Sequence, residues 1–550
     1  MYFYLSLQYS AIQRTVLRHD RLWSIAGMSQ ILSELNEIIL PQIASDNGGT
    51  VIVAGGGKFT ACFTDEGKAN EARREIFKCI STTLPMLEFQ CSEVVPADTL
   101  QNAVDFRKLD TEYAKHDPYP GLVGELNEKK RCFRGYGVTY NPHIRVCEEC
   151  GEYPVVTTRH SAEGEKKLCR ICDSSWAVIK VKPDKDVKEL TTMQRIYKGF
   201  IEGIPDLKNA EIPFNFDDLF RESEEKGKRR IAIWASDING MGDKVPVWLG
   251  TDGWLRKSDN KRMSIADTFD EIKIVNVEII VDALKDTFKE ARLVEKKGKQ
   301  YMPFRLVVAG GDDLCIVMRD DFILDFAENF SRCLHEKIDK IEEDGIHPLS
   351  KKWLEEHADL AKMKKEDGSP VNEKFKPHSF GGAFIVTSAH TPFRKLHNTV
   401  EDLLKEAKEK SDRKDNCITW RVLSMDAEEK GLVFEKPLYI DVKPLLMNGD
   451  IKDAERHLLF TDYLDKVEAY KKLSGSHRHQ IASKMIEYEI KYKNDYAEKL
   501  ETWLKRRPAA REKDSPISKL LLDKDLREGQ NPKGKLLPQR IATLLELMSI

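Results

Sequence analysis

The chain has 550 residues, of which 33% are charged and 41% are hydrophobic. At about 150 residues per domain, this length predicts three to four domains with several buried cores. The formal net charge of -3 excludes an overall basic surface of the kind that wraps nucleic acid, although local basic patches are compatible with it. No stretch approaches the roughly 20 continuous apolar residues of a membrane span, so we expect no membrane contact.

The 11 cysteines are an odd number in a large, charged chain. This count favours reduced thiols and a cytoplasmic location over a disulfide framework. The apolar start of the chain, from Met1 to Leu7, has no basic flank and is too short for a signal peptide. We therefore expect it to form a first strand.

Residues 1–125 are predicted to form a first unit of strands and helices. Apolar alternation indicates its strands, and a 3.6-residue period indicates its helices. Pro41 is expected to end the first helical region, and the glycines of turn 55–58 to join two apolar runs into a hairpin. The predicted elements are a strand over 1–10, a helical region over 11–43, a hairpin over 50–63, a helix over 65–83 and a strand over 86–95.

The rest of the chain divides into three segments. Residues 126–228 are rich in cysteine and turn residues and end in helical linker sequence, which predicts a small module. Residues 451–550 predict helices divided by prolines. Residues 229–450 predict a second large unit, with a charged insertion over 343–376. Its elements are strands over 231–236, 304–309, 314–318, 380–387 and 416–424 and helices over 265–290, 321–342 and 394–413.

An internal repeat links the two large units. Residues 53–58 (VAGGGK) align with residues 308–313 (VAGGDD), and each run lies at the tip of an apolar hairpin. Two copies of one fold are the natural interpretation. Only the second copy carries acids at its turn, since the first has Gly57 and Lys58 in their place.

Three carboxylates are predicted to converge in the second copy. Asp312 and Asp313 lie at the hairpin tip, where adjacent acids repel each other unless a cation lies between them. Asp237 ends the first strand of the same unit. Mg²⁺ prefers carboxylate and phosphate oxygens, and such a trio is typical of two-metal phosphoryl transfer. The alternative for a lone GGDD motif is an ordinary exposed turn.

Four cysteines have the spacing of a zinc site. Cys147 and Cys150, followed by Cys169 and Cys172, form the pattern C-x2-C-x18-C-x2-C, in which each pair makes a tight knuckle. Four protein ligands leave no open coordination position, so we expect a structural Zn²⁺. The alternative is a chance cluster of reduced cysteines.

With these motifs, the chain resembles the large, palm-containing subunit of type III CRISPR effector complexes. The resemblance covers essentially the whole length, and similar segments include residues 12–33, 381–383 and 403–408. It implies an α+β fold with two ferredoxin-like palm domains of the nucleotidyl cyclase and polymerase type. The implied order is a palm without catalytic acids over 1–125, a zinc-binding module and helical linker over 126–228, the GGDD palm over 229–450 and a helical C-terminal domain over 451–550.

Members of this family join ATP molecules into cyclic oligoadenylates when the complex binds target RNA. The resemblance therefore implies ATP as substrate, two Mg²⁺ or Mn²⁺ ions, and other effector subunits, guide RNA and target RNA as partners. Asp237 and Asp313 would hold metal, with Asp312 as a further metal ligand or shaping carboxylate. The residues expected at the nucleotides are Ile238, Asn239, Gly240, Gly310, Gly311, Lys408, Gly57 and Lys58.

Two lysine assignments have alternatives. Lys408 would contact a triphosphate, but an ordinary solvated helix lysine is an equal interpretation. Lys58 would face a second triphosphate, on a degenerate palm tip that has Ser6 and Gln8 where the other copy supplies an acid. Two palms that meet face to face would then present two ATP molecules to one metal site.

The chain departs from many family members, which begin with an HD nuclease domain. His19-Asp20 is an HD dipeptide without accompanying ligand histidines, so we attribute it to chance and expect no HD-type nuclease activity. Two other functions stay open from the sequence: a stand-alone nucleotide or dinucleotide cyclase, and a catalytically silent scaffold subunit. The zinc module and helical tail favour a complex subunit, and the three acids favour an active site.

Overall fold

The structure is a computed structural model in which helices and sheets are mixed, as expected. Gly311, the His19-Asp20 dipeptide and most of the 343–376 insertion lie outside the described residues. The described residues are 2–10, 16, 21–84, 87–97, 145–151, 153–161, 164–178, 190–204, 207, 209–225, 229–250, 254–256, 261–289, 294–310, 312–357, 378–411, 413, 416–423, 438–439, 460–470, 472–492, 495–507, 515–523, 526 and 538–548.

The described strands are numbered in chain order. They are β1 Tyr2–Ser10, β2 Thr50–Gly55, β3 Lys58–Phe63, β4 Glu88–Cys91, β5 Val95–Ala97, β6 Thr157–Ser161, β7 Gly164–Leu168, β8 Arg230–Ile238, β9 Trp254–Arg256, β10 Lys261–Met263, β11 Val294–Lys296, β12 Lys299–Tyr301, β13 Phe304–Gly310, β14 Asp313–Arg319, β15 Phe380–Ser388, β16 Cys417–Val422 and β17 Leu438–Tyr439.

The described α-helices are numbered in the same way, apart from a π-helical turn, Leu35–Ile39, and two short 3₁₀ turns, Phe216–Leu219 and Asp320–Phe322. They are α1 Leu22–Glu34, α2 Leu40–Asp46, α3 Glu66–Thr83, α4 Arg170–Val178, α5 Thr192–Gly203, α6 Met241–Gly250, α7 Ile265–Phe288, α8 Ile323–Asp344, α9 Lys351–Glu356, α10 Phe393–Lys410, α11 Phe460–Tyr470, α12 Gly475–Tyr492, α13 Tyr496–Lys505, α14 Pro516–Leu522 and α15 Pro538–Leu547.

Two main sheets share one strand order. The first has the order β2-β3-β1-β4, with β5 paired to the other end of β1, and the second has the order β13-β14-β8-β15-β16-β17. In the first sheet β1 lies between β3 and β4, and β2 lies at the edge. In the second sheet β8 likewise lies between β14 and β15, and β13 lies at the edge. We call the first sheet with its helices the first unit (2–97) and the second sheet with its helices the second unit (229–423).

The second sheet is covered on both faces because its strands alternate between two apolar cores. Trp234 of β8 lies in one core, together with residues of α7 and α8. Ile233 and Ala235 lie in the other core, together with residues of α10 and of α1 from the first unit. The first unit therefore packs directly on one face of the second sheet.

Pro41 does not end the first helical region, so that prediction was wrong. The π-helical turn interrupts the α-type hydrogen bonding ahead of it, and Pro41 lies in the first turn of α2, which ends at Asp46. A proline there removes no regular α-helical hydrogen bond, because the π-helical turn already interrupts the α-helical hydrogen bonding at this point.

The cysteine-containing module (145–178) packs against α1. A methyl group on Gly27 of α1 would lie 2.4 Å from the carbonyl oxygen of Ser175, so glycine permits the close approach of α1 and α4. Trp23 of α1 also makes an edge contact with Trp176, at 4.9 Å between ring centroids. Helix α4 and the β6–β7 hairpin were not predicted from the sequence.

The C-terminal part of the chain is helical where it is described, from α11 to α15. Among the described helices, none is both long enough and apolar enough to cross a membrane.

Candidate active site

Three acids converge at one edge of the second sheet. Asp313 lies opposite Asp237 in the antiparallel β8–β14 pair, and Asp312 lies in the turn that precedes β14. Each offers one carboxylate oxygen, and the three oxygens lie within 4.8 Å of one another. The structure therefore brings together the acids that the sequence singled out. Their oxygen-only ligand set fits Mg²⁺ or Mn²⁺.

The proximity of the three acids disfavours the ionised forms of Asp312 and Asp313. Loss of solvation and then the charges of Asp312 and Asp237 raise the pKa of Asp313 to about 8. Loss of solvation followed by repulsion from Asp237 raises the pKa of Asp312 to about 6. Asp313 is more exposed than Asp312. Repulsion from Asp312 and Asp237 therefore accounts for the raised pKa of Asp313 together with burial. A cation between the acids would remove this repulsion.

Lys408 supplies a positive charge to the site. Its Nζ donates to Oδ2 of Asp237, and its side chain is only 11% exposed. Lys408 is therefore a half-buried partner of the acids in this structure rather than a solvated helix lysine.

Gly381 makes room for Lys408. It lies opposite Asp237 in the β8–β15 pair, and a Cβ atom at this position would lie 2.5 Å from Cγ of Lys408. Real Cβ atoms essentially never come so close to another heavy atom, so a larger residue would push the lysine stem aside. This steric role was not predicted from the sequence, in which 381–383 is only one of the segments similar to the family.

The segment after Asp237 is anchored to the strand beside it. The backbone N–H of Asn239 donates to the Ser379 carbonyl at 2.7 Å, and its side-chain amide donates to the Ser379 hydroxyl at 3.0 Å. Gly240 has a φ of +73°, which favours glycine, and α6 starts directly after it. Ile238 is buried, and the structure uses the Asn239 amide to hold the loop.

A cavity of about 420 Å³ lies between the two units, next to the acids. Its second-unit wall includes Gly310 and Asp313, and its first-unit wall includes Gly56 and Gly57. The two glycine-containing turns that align in the sequence therefore meet at one cavity. Lys58 is exposed and is not among the residues that line it.

The wall contributed by the first unit carries polar residues that the sequence analysis missed. Asn36 lies in the π-helical turn, and its side-chain amide donates to the Lys58 carbonyl at 3.3 Å. Within the described part of the chain, Oδ1 of Asn36 is buried and has no hydrogen-bond partner. A π-turn within a helix is a known mark of functional sites. The further polar lining residues of this wall are Tyr9, Ser29, Ser33 and Glu37.

Helix α10 contributes the opposite side of the cavity. His397 and Glu401 both line it, with 3.7 Å between Nε2 and Oε1. Burial lowers the pKa of His397 to about 4, so its imidazole is neutral near pH 7. The sequence feature that could have indicated His397 and Glu401 as site residues is their four-residue spacing on a predicted helix that also carries Lys408.

The register explains why the first unit holds no acid trio. Gln8 lies opposite Lys58 in the β1–β3 pair, at the positions that Asp237 and Asp313 occupy in the β8–β14 pair. An amide and an ammonium group replace two carboxylates.

The four predicted cysteines form one cluster. Cys147, Cys150, Cys169 and Cys172 each offer a sulfur, and the four sulfurs lie within 4.8 Å of one another. Gly151 has a φ of +67°, as expected for the turn of a knuckle. Hydrogen bonds within the cluster, first that of Cys150, lower the pKa of Cys147. An all-thiol set of this size fits Zn²⁺.

No family model matches the sequence, and no curated protein matches it either. Solved structures similar to the chain include those of Csm1. The apo Csm1-Csm4 cassette has a TM-score of 0.46 and 11% identity, and the cassette in complex with cA4 has a TM-score of 0.47 and 10% identity. Csm1 from T. onnurineus has a TM-score of 0.46 and 13% identity.

Each of these similarities covers 100% of this chain and 69% of the Csm1 chain. Because these TM-scores are below 0.5, we infer function from the geometry of the site.

Proposed function

We propose that the chain is the palm-containing subunit of a type III CRISPR effector complex and joins ATP molecules into cyclic oligoadenylates. The observation that carries this proposal is the convergence of Asp237, Asp312 and Asp313 next to a cavity that two similarly ordered sheets share. Acids alone would suit many metal enzymes. A cavity beside them, lined by both units, suits the joining of two nucleotides.

The two sheets are proposed to be ferredoxin-like palm domains. Their common strand order and the alignment of the 53–58 and 308–313 turns support two copies of one fold. The first, over 1–125, would shape the cavity without chemistry of its own. The second, over 229–450, would be catalytic, with a zinc-binding module over 126–228 and a helical domain over 451–550 on either side of it in the chain.

Asp237 and Asp313 would hold two Mg²⁺ or Mn²⁺ ions, with Asp312 as a further ligand or shaping carboxylate. When bound, the two ions would activate the attacking hydroxyl and neutralise charge on the α-phosphate and the leaving pyrophosphate. The 3′-oxygen of one nucleotide would form a bond to the α-phosphorus of the other, and the bond to pyrophosphate would break.

The remaining groups would bind and orient the nucleotides. Lys408 would leave Asp237 and contact the triphosphate, since a flexible ammonium group can move from a carboxylate to a phosphate. Ile238, Gly240, Gly310 and Gly311 are proposed to let the phosphates approach the backbone closely. Gly57, on the first-unit wall, would face the second nucleotide.

The four cysteines would hold a structural Zn²⁺. The proposed partners are other effector subunits, guide RNA and target RNA. Similar solved structures include a Csm1-Csm4 subcomplex of the type III-A CRISPR-Csm interference complex and a Csm1-Csm4 cassette in complex with AMPPNP.

A product assay tests the proposal. The chain, expressed with its neighbouring effector subunits and guide RNA, is incubated with ATP, Mn²⁺ or Mg²⁺ and target RNA, and the products are separated by mass. Cyclic oligoadenylates that depend on target RNA support the proposal. Product from the isolated chain without RNA would identify a stand-alone cyclase, and an RNA-binding complex that makes no product would identify a silent scaffold.

A further inference from the structure

A lysine of the second unit binds the hairpin of the first unit. Lys273 lies on α7, and its Nζ donates to the carbonyl oxygen of Ala54 on β2. β2 is the edge strand of the first sheet, so one side of its backbone is open to a partner outside the sheet. The Lys273 side chain is only 15% exposed, so this contact between the two units is largely shielded from solvent.

Gly55 permits this approach. A Cβ atom at position 55 would lie 3.0 Å from Cε and 3.4 Å from Nζ of Lys273. Most side chains at this position would therefore push the lysine away from Ala54. The turn that follows contains Gly56 and Gly57, which line the cavity.

A half-buried acid on the same cavity wall contacts a third element. Glu37 lines the cavity, and the backbone N–H and hydroxyl of Thr192 donate to its Oε2 at 2.7 and 3.0 Å. Thr192 starts α5, so Glu37 ties the π-helical turn to the start of that helix. Burial raises the pKa of Glu37, and the positive charge of Lys273 opposes this shift.

The width of the cavity depends on where this hairpin lies. Gly56, Gly57 and Glu37 are on one wall, and Gly310 and Asp313 are on the other. A lysine that holds β2 against α7 therefore sets the separation of the two walls.

We infer that Lys273 is a positioning residue that holds the 55–57 turn at the distance from the acid trio at which the cavity binds a nucleotide. This inference rests on the proposed function for the identity of the nucleotide. Neither the repeat nor the family motifs single out Lys273.

The test compares Lys273→Met with Lys273→Arg in the full chain. Methionine keeps the apolar stem without the charge, and arginine restores a donor. Lys289→Met, at the exposed end of the same helix, is the matched control. Binding of a non-hydrolysable ATP analogue is measured by calorimetry, Mn²⁺ binding by electron paramagnetic resonance, and hydrogen exchange over residues 50–58 by mass spectrometry.

We expect Lys273→Met to weaken analogue binding about tenfold, to speed exchange over 50–58, and to leave Mn²⁺ binding within about twofold of the wild type. Lys273→Arg should recover most of the affinity, and Lys289→Met should match the wild type. Unchanged exchange over 50–58 in Lys273→Met would overturn the inference, as would an equal loss of Mn²⁺ binding. Failure of the wild-type chain to bind the analogue would instead refute the proposed function, while the exchange comparison would still decide the positioning role.

Discussion

Asp313 lies directly opposite Asp237 across the β8–β14 pair, so both carboxylates project from the same face of the sheet. Directly opposed residues have Cβ atoms about 5 Å apart, and like charges at that distance destabilise a sheet. Lys408 reduces this repulsion by donating to Asp237, but the pKa of Asp313 is still raised to about 8. The site is therefore built at a cost to stability, which is the pattern expected where function and not folding selects the residues.

The first prediction concerns stability in the absence of metal. The carboxyl of Asp313 has a pKa of about 8 in the folded chain and about 3.9 when unfolded. Between these values the folded state binds more protons than the unfolded state, so the free energy of unfolding should fall as pH rises from about 4 to about 8. Asp313→Asn carries no titrating group and should show a weaker fall.

Denaturant titrations in EDTA at pH 6 and pH 8 measure this difference. Addition of Mg²⁺ should stabilise the wild type at pH 8 and should stabilise Asp313→Asn much less. An identical pH dependence in the two proteins would show that Asp313 does not lie in a repulsive acid cluster.

The second prediction concerns Gly381. Gly381→Ala places a Cβ within 2.5 Å of Cγ of Lys408 and should displace the lysine from Asp237. The displaced lysine would no longer reach the triphosphate that it is proposed to contact, and because a charge-assisted contact contributes about 1.5–3 kcal/mol, the KM for ATP should rise about tenfold or more. Steady-state kinetics of Gly381→Ala, Lys408→Met and the double variant measure the effect. The two changes should not add, since both act on one contact. Fully additive losses would mean that Gly381 acts elsewhere.

The third prediction concerns the cysteine cluster. Native mass spectrometry should find one Zn²⁺ per chain, and Cys147→Ser should lose it, because three thiolates hold the ion less tightly than four. Hydrogen exchange over 145–178 should then speed up, and the change should reach α1, which packs on this module through Gly27. Cys79→Ser, at a thiol outside the cluster, is the control. A zinc-free chain with a well-protected module would refute the assignment.

Much of the fold follows from local sequence patterns. The strand ending at Asp237, the 304–319 hairpin and α7 were predicted within a few residues, because each combines a clear apolar period with glycine or polar boundaries. The error at Pro41 arose because proline was taken as a helix stop. A π-helical turn lies ahead of it, and no local pattern in the sequence predicted that turn.

The candidate site, like the fold, could be predicted from the sequence only in part. The three acids and four cysteines carry their chemistry in short motifs, and the structure brings each set together. The cavity wall formed by Asn36, Glu37, His397 and Glu401 depends on how α1, α5 and α10 pack around two sheets. Those contacts join residues hundreds of positions apart, so the sequence could suggest two facing palms but not the side chains between them.

The measurement that tests the central claim most directly compares two acid pairs. Asp312→Ala/Asp313→Ala removes two acids of the trio. Asp320→Ala/Asp321→Ala removes an adjacent pair that binds Arg230 and Arg319 outside the site. Both variants are assembled with the partner subunits, and oligoadenylate formation from ATP and Mn²⁺ is measured with target RNA. We predict that the first variant makes no detectable product and that the second keeps most of the wild-type rate. Undiminished product from Asp312→Ala/Asp313→Ala, with the chain folded, would contradict the account.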